Sequence, residues 1–285
     1  MGIVKQKSNT VSKSNVLKVG NVVYSLPTKP SEPKESMEEF IMLIYGQKKI
    51  GKTSLLSHFD NPLFLMFEPG GKSLKIYQES MTSWLKFTRF ADLIVKDTKF
   101  KTIIIDPADL TYDACMHHVC KEMGIDHPAD AGYGKGWEAV KKEFVKQIMK
   151  IAMSGKGLVF VSHQVEKKIE LRDGKSYDFK TNTMSGQAKG VIEGLVDIWC
   201  NYDYDGRKRF LTILGDDFID AGHRVDEVLP AFRYTNGKRV RRIDMGNSSK
   251  EGYDNFMKAF YNELQEPVEK KGGVIKGSAV KKKSY

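Results

Sequence analysis

No stretch of this sequence comes near the ~20 consecutive apolar residues that a membrane-spanning helix requires, and the opening segment MGIVKQKSNTVSKSN has no apolar core of the kind that marks a secretory signal. Cysteine is scarce. Cys115, Cys120 and Cys200 do not make an even set, so a disulfide framework is not expected and a reducing, cytoplasmic setting is. No segment repeats. Charge is also scarce where it would matter most for a nucleic-acid reader: of the net +10, residues 1–36 hold +4 and residues 267–285 hold +5, leaving the body with about +1. The basic character belongs to the ends. Such ends attract nucleic acid by releasing counterions, or they serve only as solubilising, disordered tails.

What is there has the organisation of one domain over residues 37–266, between a flexible basic arm (1–36) with a strand-like run at Val16–Leu26 and a disordered lysine-rich tail (267–285). Phe40–Tyr45 (FIMLIY), Leu63–Phe67, Thr102–Ile105 and Leu158–Val161 are short continuous apolar runs, as expected of strands buried on both faces of a mostly parallel sheet. Helix-patterned segments separate them, notably Trp137–Met153 with Val140, Phe144, Ile148 and Ile151 at helical spacing. The alternation predicts a doubly wound α/β fold. Beyond residue 190, Ile198–Tyr204 and Arg207–Leu214 flank Asp205-Gly206, predicting an antiparallel hairpin that extends the sheet, and Gly252–Leu264 reads as a last helix.

The strongest chemical signal is Gly46-Gln47-Lys48-Lys49-Ile50-Gly51-Lys52-Thr53, followed by Ser54. In the pattern G-x-x-x-x-G-K-[ST] the glycines let successive backbone N–H groups face phosphates, and the helix that follows points its positive end at them. Lys52 then reaches the outer phosphates of ATP, and the Thr53 hydroxyl ligates Mg²⁺. The run Lys101–Asp106 ends an apolar strand in a carboxylate, the form of a Walker B segment, with Asp106 as the second magnesium-side residue. Glu68, at the tip of the strand after the loop helix, is the expected base for the attacking water.

In this order, the loop GQKKIGKTS, the strand FLMFEPGG, the strand TIIIDP and the run LVFVSHQ resemble the RecA-like P-loop ATPases, most closely the small phage-encoded single-strand annealing recombinases. The resemblance spans residues 37–235. It implies a RecA-like P-loop NTPase core that is a Mg²⁺-dependent ATPase, acts on single-stranded DNA in recombination or annealing, and works as a homo-oligomer in a host cytoplasm, with a single-strand-binding protein as a further partner. It places His163 and Gln164 as the polar sensor between the γ-phosphate and the DNA-binding loops. The matching loops are 124–137, where Tyr133, Lys135 and Trp137 would meet bases and phosphate, and 166–185, where Lys167 and Lys168 would do so. The second stretch also reads as a solvated hairpin around Asp173-Gly174, since its five basic residues face four acidic ones. Arg224, in GDDFIDAGHR, is placed by the resemblance to act on a neighbouring subunit's nucleotide.

Cys115, His117, His118 and Cys120 invite a zinc reading, but they fall within one helix pattern and lack a second ligand pair, so packing explains them better. Other functions compete on the same fold: a helicase or packaging motor, a nucleotide-controlled regulatory or assembly ATPase, and a small-molecule kinase, the last weakened by the lack of an arginine-rich lid.

Overall fold

The computed structural model describes residues 16–19, 21–225 and 230–267. The lysine-rich tail and the first fifteen residues, both expected to be flexible, lie outside the described residues. The chain divides into two units, 1–33 and 34–285. In the first, β1 (Val16–Val19) and β2 (Val22–Ser25) form an antiparallel hairpin in place of the single strand expected there.

The second unit begins with a 3₁₀ turn (Met37–Glu39) and β3 (Ile41–Gly46), followed by α1 (Lys52–Leu56), β4 (Pro62–Met66), β5 (Tyr77–Ser80), α2 (Trp84–Lys96) and β6 (Thr102–Asp106). Next come α3 (Ala108–Met123), a 3₁₀ turn (Pro128–Ala131), α4 (Lys135–Ala152), β7 (Gly157–Glu170), β8 (Ser176–Asn182) and α5 (Gly186–Leu195). The chain closes with β9 (Ile198–Asp205), β10 (Lys208–Thr212), β11 (Gly222–His223), β12 (Arg242–Asp244) and α6 (Ser249–Phe260). Among the described residues no helix is long and apolar enough to cross a membrane.

The sheet runs β12-β10-β9-β3-β7-β6-β4-β5, with β8 attached to β7 and β11 to β9. From β9 to β5 every neighbouring pair is parallel, and β10 and β12 continue antiparallel. The period of two along each strand explains the continuous apolar runs. Met42 and Ile44 of β3, with Phe64, Ile104, Val159 and Val161, pack beneath α1 and α6, while Leu43, Leu65, Ile103, Ile105, Leu158 and Phe160 pack against α2 to α5. Both faces are covered, so neither side of a strand needs polar residues. Asp205-Gly206 makes the expected turn, with Gly206 at φ 59°, and β9 carries the hairpin into the sheet beside β3.

Two features sharpen the reading of the sequence. First, residues 166–185 take the hairpin form around Asp173-Gly174 that their sequence also allowed. β7 continues as one 14-residue strand past the edge of the main sheet and pairs with β8, turning at Asp173-Gly174 with Gly174 at φ 81°. The register sets Glu166 opposite Lys180 and Lys168 opposite Asp178, so opposite charges face each other across the strands, although Lys180 makes its ion pair with Asp203 of β9. Second, α3 and α4 form a helical hairpin that rises beyond the carboxyl ends of the strands. Trp84 stacks on Phe144 and Asp92 pairs with Lys150, so α4 runs parallel to α2 and Phe144 lies level with the top of the sheet, where α2 starts. Tyr112 meets Phe144 and Cys115 meets the Val140 carbonyl, so α3 is antiparallel to α4. The first nine residues of α4 therefore stand roughly 13 Å above the sheet. Cys115 and Cys120 are buried in this packing.

Candidate functional site

Gly46 ends β3 where the chain must pass hard against β9: a Cβ there would lie 1.9 Å from the Tyr202 carbonyl oxygen. Only glycine fits. The loop then turns through Lys49 at φ 65° and Gly51 at φ 105°, a backbone that L side chains rarely adopt, while Ile50 is buried and pins the loop from below. Gln47, Lys48 and Lys49 face solvent.

Lys52 is only 7% exposed and donates from Nζ to the carbonyls of Gly46 (2.9 Å) and Gln47 (3.0 Å), so its amine lies inside the curl of the loop. Burial lowers its pKa, and the carboxylates of Asp106 and Glu68 oppose that shift. The Thr53 hydroxyl donates to Asp106 Oδ2 at 3.0 Å, joining the loop to the end of β6. Asp106 is 4% exposed; burial pushes its pKa up, opposed by the Thr53 hydrogen bond. Two hard oxygen donors thus meet beside a buried amine. This donor set fits Mg²⁺, which keeps several of its own waters and takes one or two protein oxygens.

Glu68 follows β4, and His163 of β7 lies level with Gly46 in the parallel register. His163 Nε2 is 3.5 Å from Glu68 Oε2, and its buried Nδ1 has no hydrogen-bond partner. Glu68, His163, Asp106, Lys52, Thr53, Ser54 and the Gly70-Gly71 turn line one cavity of about 380 Å³. It opens at the carboxyl ends of parallel strands, where open α/β sheets bind ligands.

The sequence profile of a family described as an AAA domain matches residues 38–225, the stretch that builds this loop, sheet and cavity. The chain belongs to the AAA domain family. It is therefore a P-loop nucleotide-binding protein of an ATPase family. The AAA domain is also similar to the SPbeta prophage-derived uncharacterized protein YorG of Bacillus subtilis (strain 168), at 26% identity over 141 residues. That similarity covers 47% of this chain and 44% of the relative, so the chain spans less than half of that protein's length.

Other residues expected to function fall in two places. Gln164 follows His163 on β7 and accepts from Asn201 Nδ2 at 2.8 Å, which ties this end of β7 to β9. Lys167 and Lys168 lie exposed on the β7–β8 hairpin, and Tyr133, between two glycines of positive φ in the α3–α4 connection, is fully exposed at 104%. Lys135 is exposed beside it, but the Trp137 ring is half-buried and stands edge-on to His127 at 5.2 Å. Both elements rise from the phosphate end of the sheet. Arg224 does not. It pairs with Asp197 (2.9 Å) and donates to the Leu195 carbonyl (2.8 Å), and Asp197 in turn accepts from the Ile41 N–H, at the start of the strand that ends in Gly46. The length of β3, about 17 Å, separates Arg224 from this subunit's phosphate loop.

The AAA domain also contains a junction that the sequence did not announce. Asp109, in the first turn of α3, accepts from Ser162 on β7 (3.0 Å) and from Thr183 after β8 (2.7 Å), while the Thr183 N–H donates to the His163 carbonyl (3.0 Å). An acidic residue three positions after Asp106 is the one signal that could have drawn attention to it.

Proposed function

We propose that this AAA domain is a Mg²⁺-dependent ATPase of the RecA-like recombination or annealing type, whose hydrolysis is coupled to single-stranded DNA. One observation carries the coupling: His163, within reach of Glu68, lies on the strand that continues unbroken into the β7–β8 hairpin. Seven residues further along, roughly 23 Å, that strand reaches its turn. A displacement at the γ-phosphate side of His163 is thereby transmitted along a paired, hydrogen-bonded strand.

In this reading Lys52 and the loop N–H groups hold the phosphates, and Thr53 and Asp106 hold the magnesium that neutralises them. Glu68 orients the attacking water and accepts its proton. Tyr133 offers a stacking face, with Lys135, Lys167 and Lys168 toward the phosphate backbone. The strand order is compatible with a RecA-like P-loop core, and the prophage-derived relative fits a phage setting. Arg224 would act only if a second copy set its phosphate loop against the amino end of this sheet.

The test is ATP turnover with and without single-stranded DNA, paired with DNA binding with and without ATP. Coupling between two bound ligands is mutual, so DNA should raise turnover and ATP should tighten DNA binding. A rate indifferent to DNA, with no strand bound in ATP, would instead favour a regulatory switch that docks a protein. The mixed charge of the hairpin, five basic and four acidic residues over 166–185, is the feature that suits that second reading.

A further inference from the structure

The β9–β10 hairpin brings a basic side chain to the phosphate loop that the reading above does not use. Arg209 on β10 is half-buried, and its Nη1 lies 3.7 Å from where a Cβ on Gly51 would stand. Its Nη2 donates to the Gly246 carbonyl at 3.4 Å, a long bond to a neutral acceptor. The Tyr202 phenol is close enough that the Arg209 charge opposes the upward push of burial on its pKa. Tyr202 is also the residue whose carbonyl abuts Gly46. Both glycines of the loop pattern, Gly46 and Gly51, are thus packed from this one hairpin.

Three cations near Arg209 have acidic partners. Lys208 pairs with Asp244, Arg241 with Asp216 and Arg242 with Asp205. Arg209 has no carboxylate within salt-bridge reach among the described residues. A half-buried guanidinium beside a loop of phosphate-facing N–H groups, held only by neutral groups, the Gly246 carbonyl and the Tyr202 phenol, is a charge prepared for an anion.

We infer that Arg209 is a nucleotide-binding residue, its guanidinium closing the loop from the β9–β10 side, opposite His163, and taking an oxygen of the polyphosphate of a nucleoside di- or triphosphate. This rests on the phosphate-loop reading above and adds a second cation to Lys52. The fork geometry of the guanidinium lets Nη1 reach the phosphate while Nη2 keeps Gly246.

The experiment uses the full chain and titrates fluorescent ATP and ADP analogues against wild type, Arg209→Gln, Arg209→Lys and Lys52→Ala, with thermal melts in the absence of nucleotide. A charge-assisted contact corresponds to roughly ten- to a hundredfold in affinity. Arg209→Gln should lose that much for both nucleotides, with a shallower salt dependence, while its nucleotide-free melting temperature stays close to the wild-type value because the Gly246 bond it gives up is long and to a neutral acceptor. Arg209→Lys should retain most of the affinity. Binding by Arg209→Gln within twofold of wild type, with Lys52→Ala unable to bind, would overturn the inference and leave the phosphate-loop reading standing. A wild type that binds neither nucleotide would overturn both.

Discussion

Replacing Glu68 by Gln removes one charge from the cavity and changes almost nothing else. The side chain is 39% exposed, and its contact with His163 is long, at 3.5 Å. An exposed pair of that kind contributes ~0.2–1 kcal/mol, so the melting temperature should move by no more than ~2–4 °C. ATP binding should persist or tighten, because a carboxylate that faces the phosphates beside Lys52 has been neutralised. Turnover is where the loss appears. A general base is worth ~10²–10⁴ in rate, equivalent to about 2.7–5.5 kcal/mol of transition-state stabilisation, and Gln cannot accept the proton. The assay combines steady-state hydrolysis at saturating ATP, equilibrium binding of ATP and a thermal melt. A fall in turnover of less than about threefold would refute the role given to Glu68. Loss of binding in step with turnover would show that the carboxylate positions the nucleotide instead.

Four other substitutions test the phosphate site and the α3–α4 connection. Asp106→Asn should raise the melting temperature at pH 7 in the absence of magnesium and abolish magnesium-dependent turnover. Burial lifts the folded pKa of Asp106, so its favourable contribution is present below the ordinary carboxylate range and is lost as pH rises through the shifted value; the gain of the Asn variant should therefore vanish in melts at acid pH. Gly46→Ala must move backbone, since its Cβ would meet the Tyr202 carbonyl at 1.9 Å; denaturant unfolding should show a loss of ~1–3 kcal/mol or more, with nucleotide binding lost as well. Tyr133→Ala should weaken single-stranded DNA binding in ATP by ~1–3 kcal/mol without changing the melt, because the ring contacts no other part of the protein surface at 104% exposure; Trp137→Ala, packed on His127, should lower the melt instead.

The parts legible in the sequence are those set by neighbours along the chain. Ile41–Gly46 runs straight from a strand buried on both faces into a turn that only Gly and a positive φ permit, and Thr102–Asp106 ends a like strand in a carboxylate. Period, turn chemistry and spacing suffice there, so the phosphate loop, Asp106 and Glu68 were found where the cavity lies. The basic stretch after residue 165 was harder. A strand that leaves the sheet has no apolar face to give it a period, and its pairing is set only when the turn brings Lys168 opposite Asp178.

What only the tertiary structure decided are the contacts between residues far apart in the chain. Gln164 and Asn201 are 37 positions apart, Asp109 and Thr183 are 74 apart, and Arg209 reaches the loop from a strand more than 150 residues later. None of these pairings carries a local signature, because the partners meet only when the strand order β10-β9-β3-β7-β6 brings their elements together. Arg224 shows the converse: a motif drew the eye to it, but β11 pairs with the start of β9, which holds it at the opposite end of the sheet. Sequence periodicity specifies which face of a strand is buried. The pairing order of the strands, set by non-local packing of two apolar faces at once, specifies which polar ends meet.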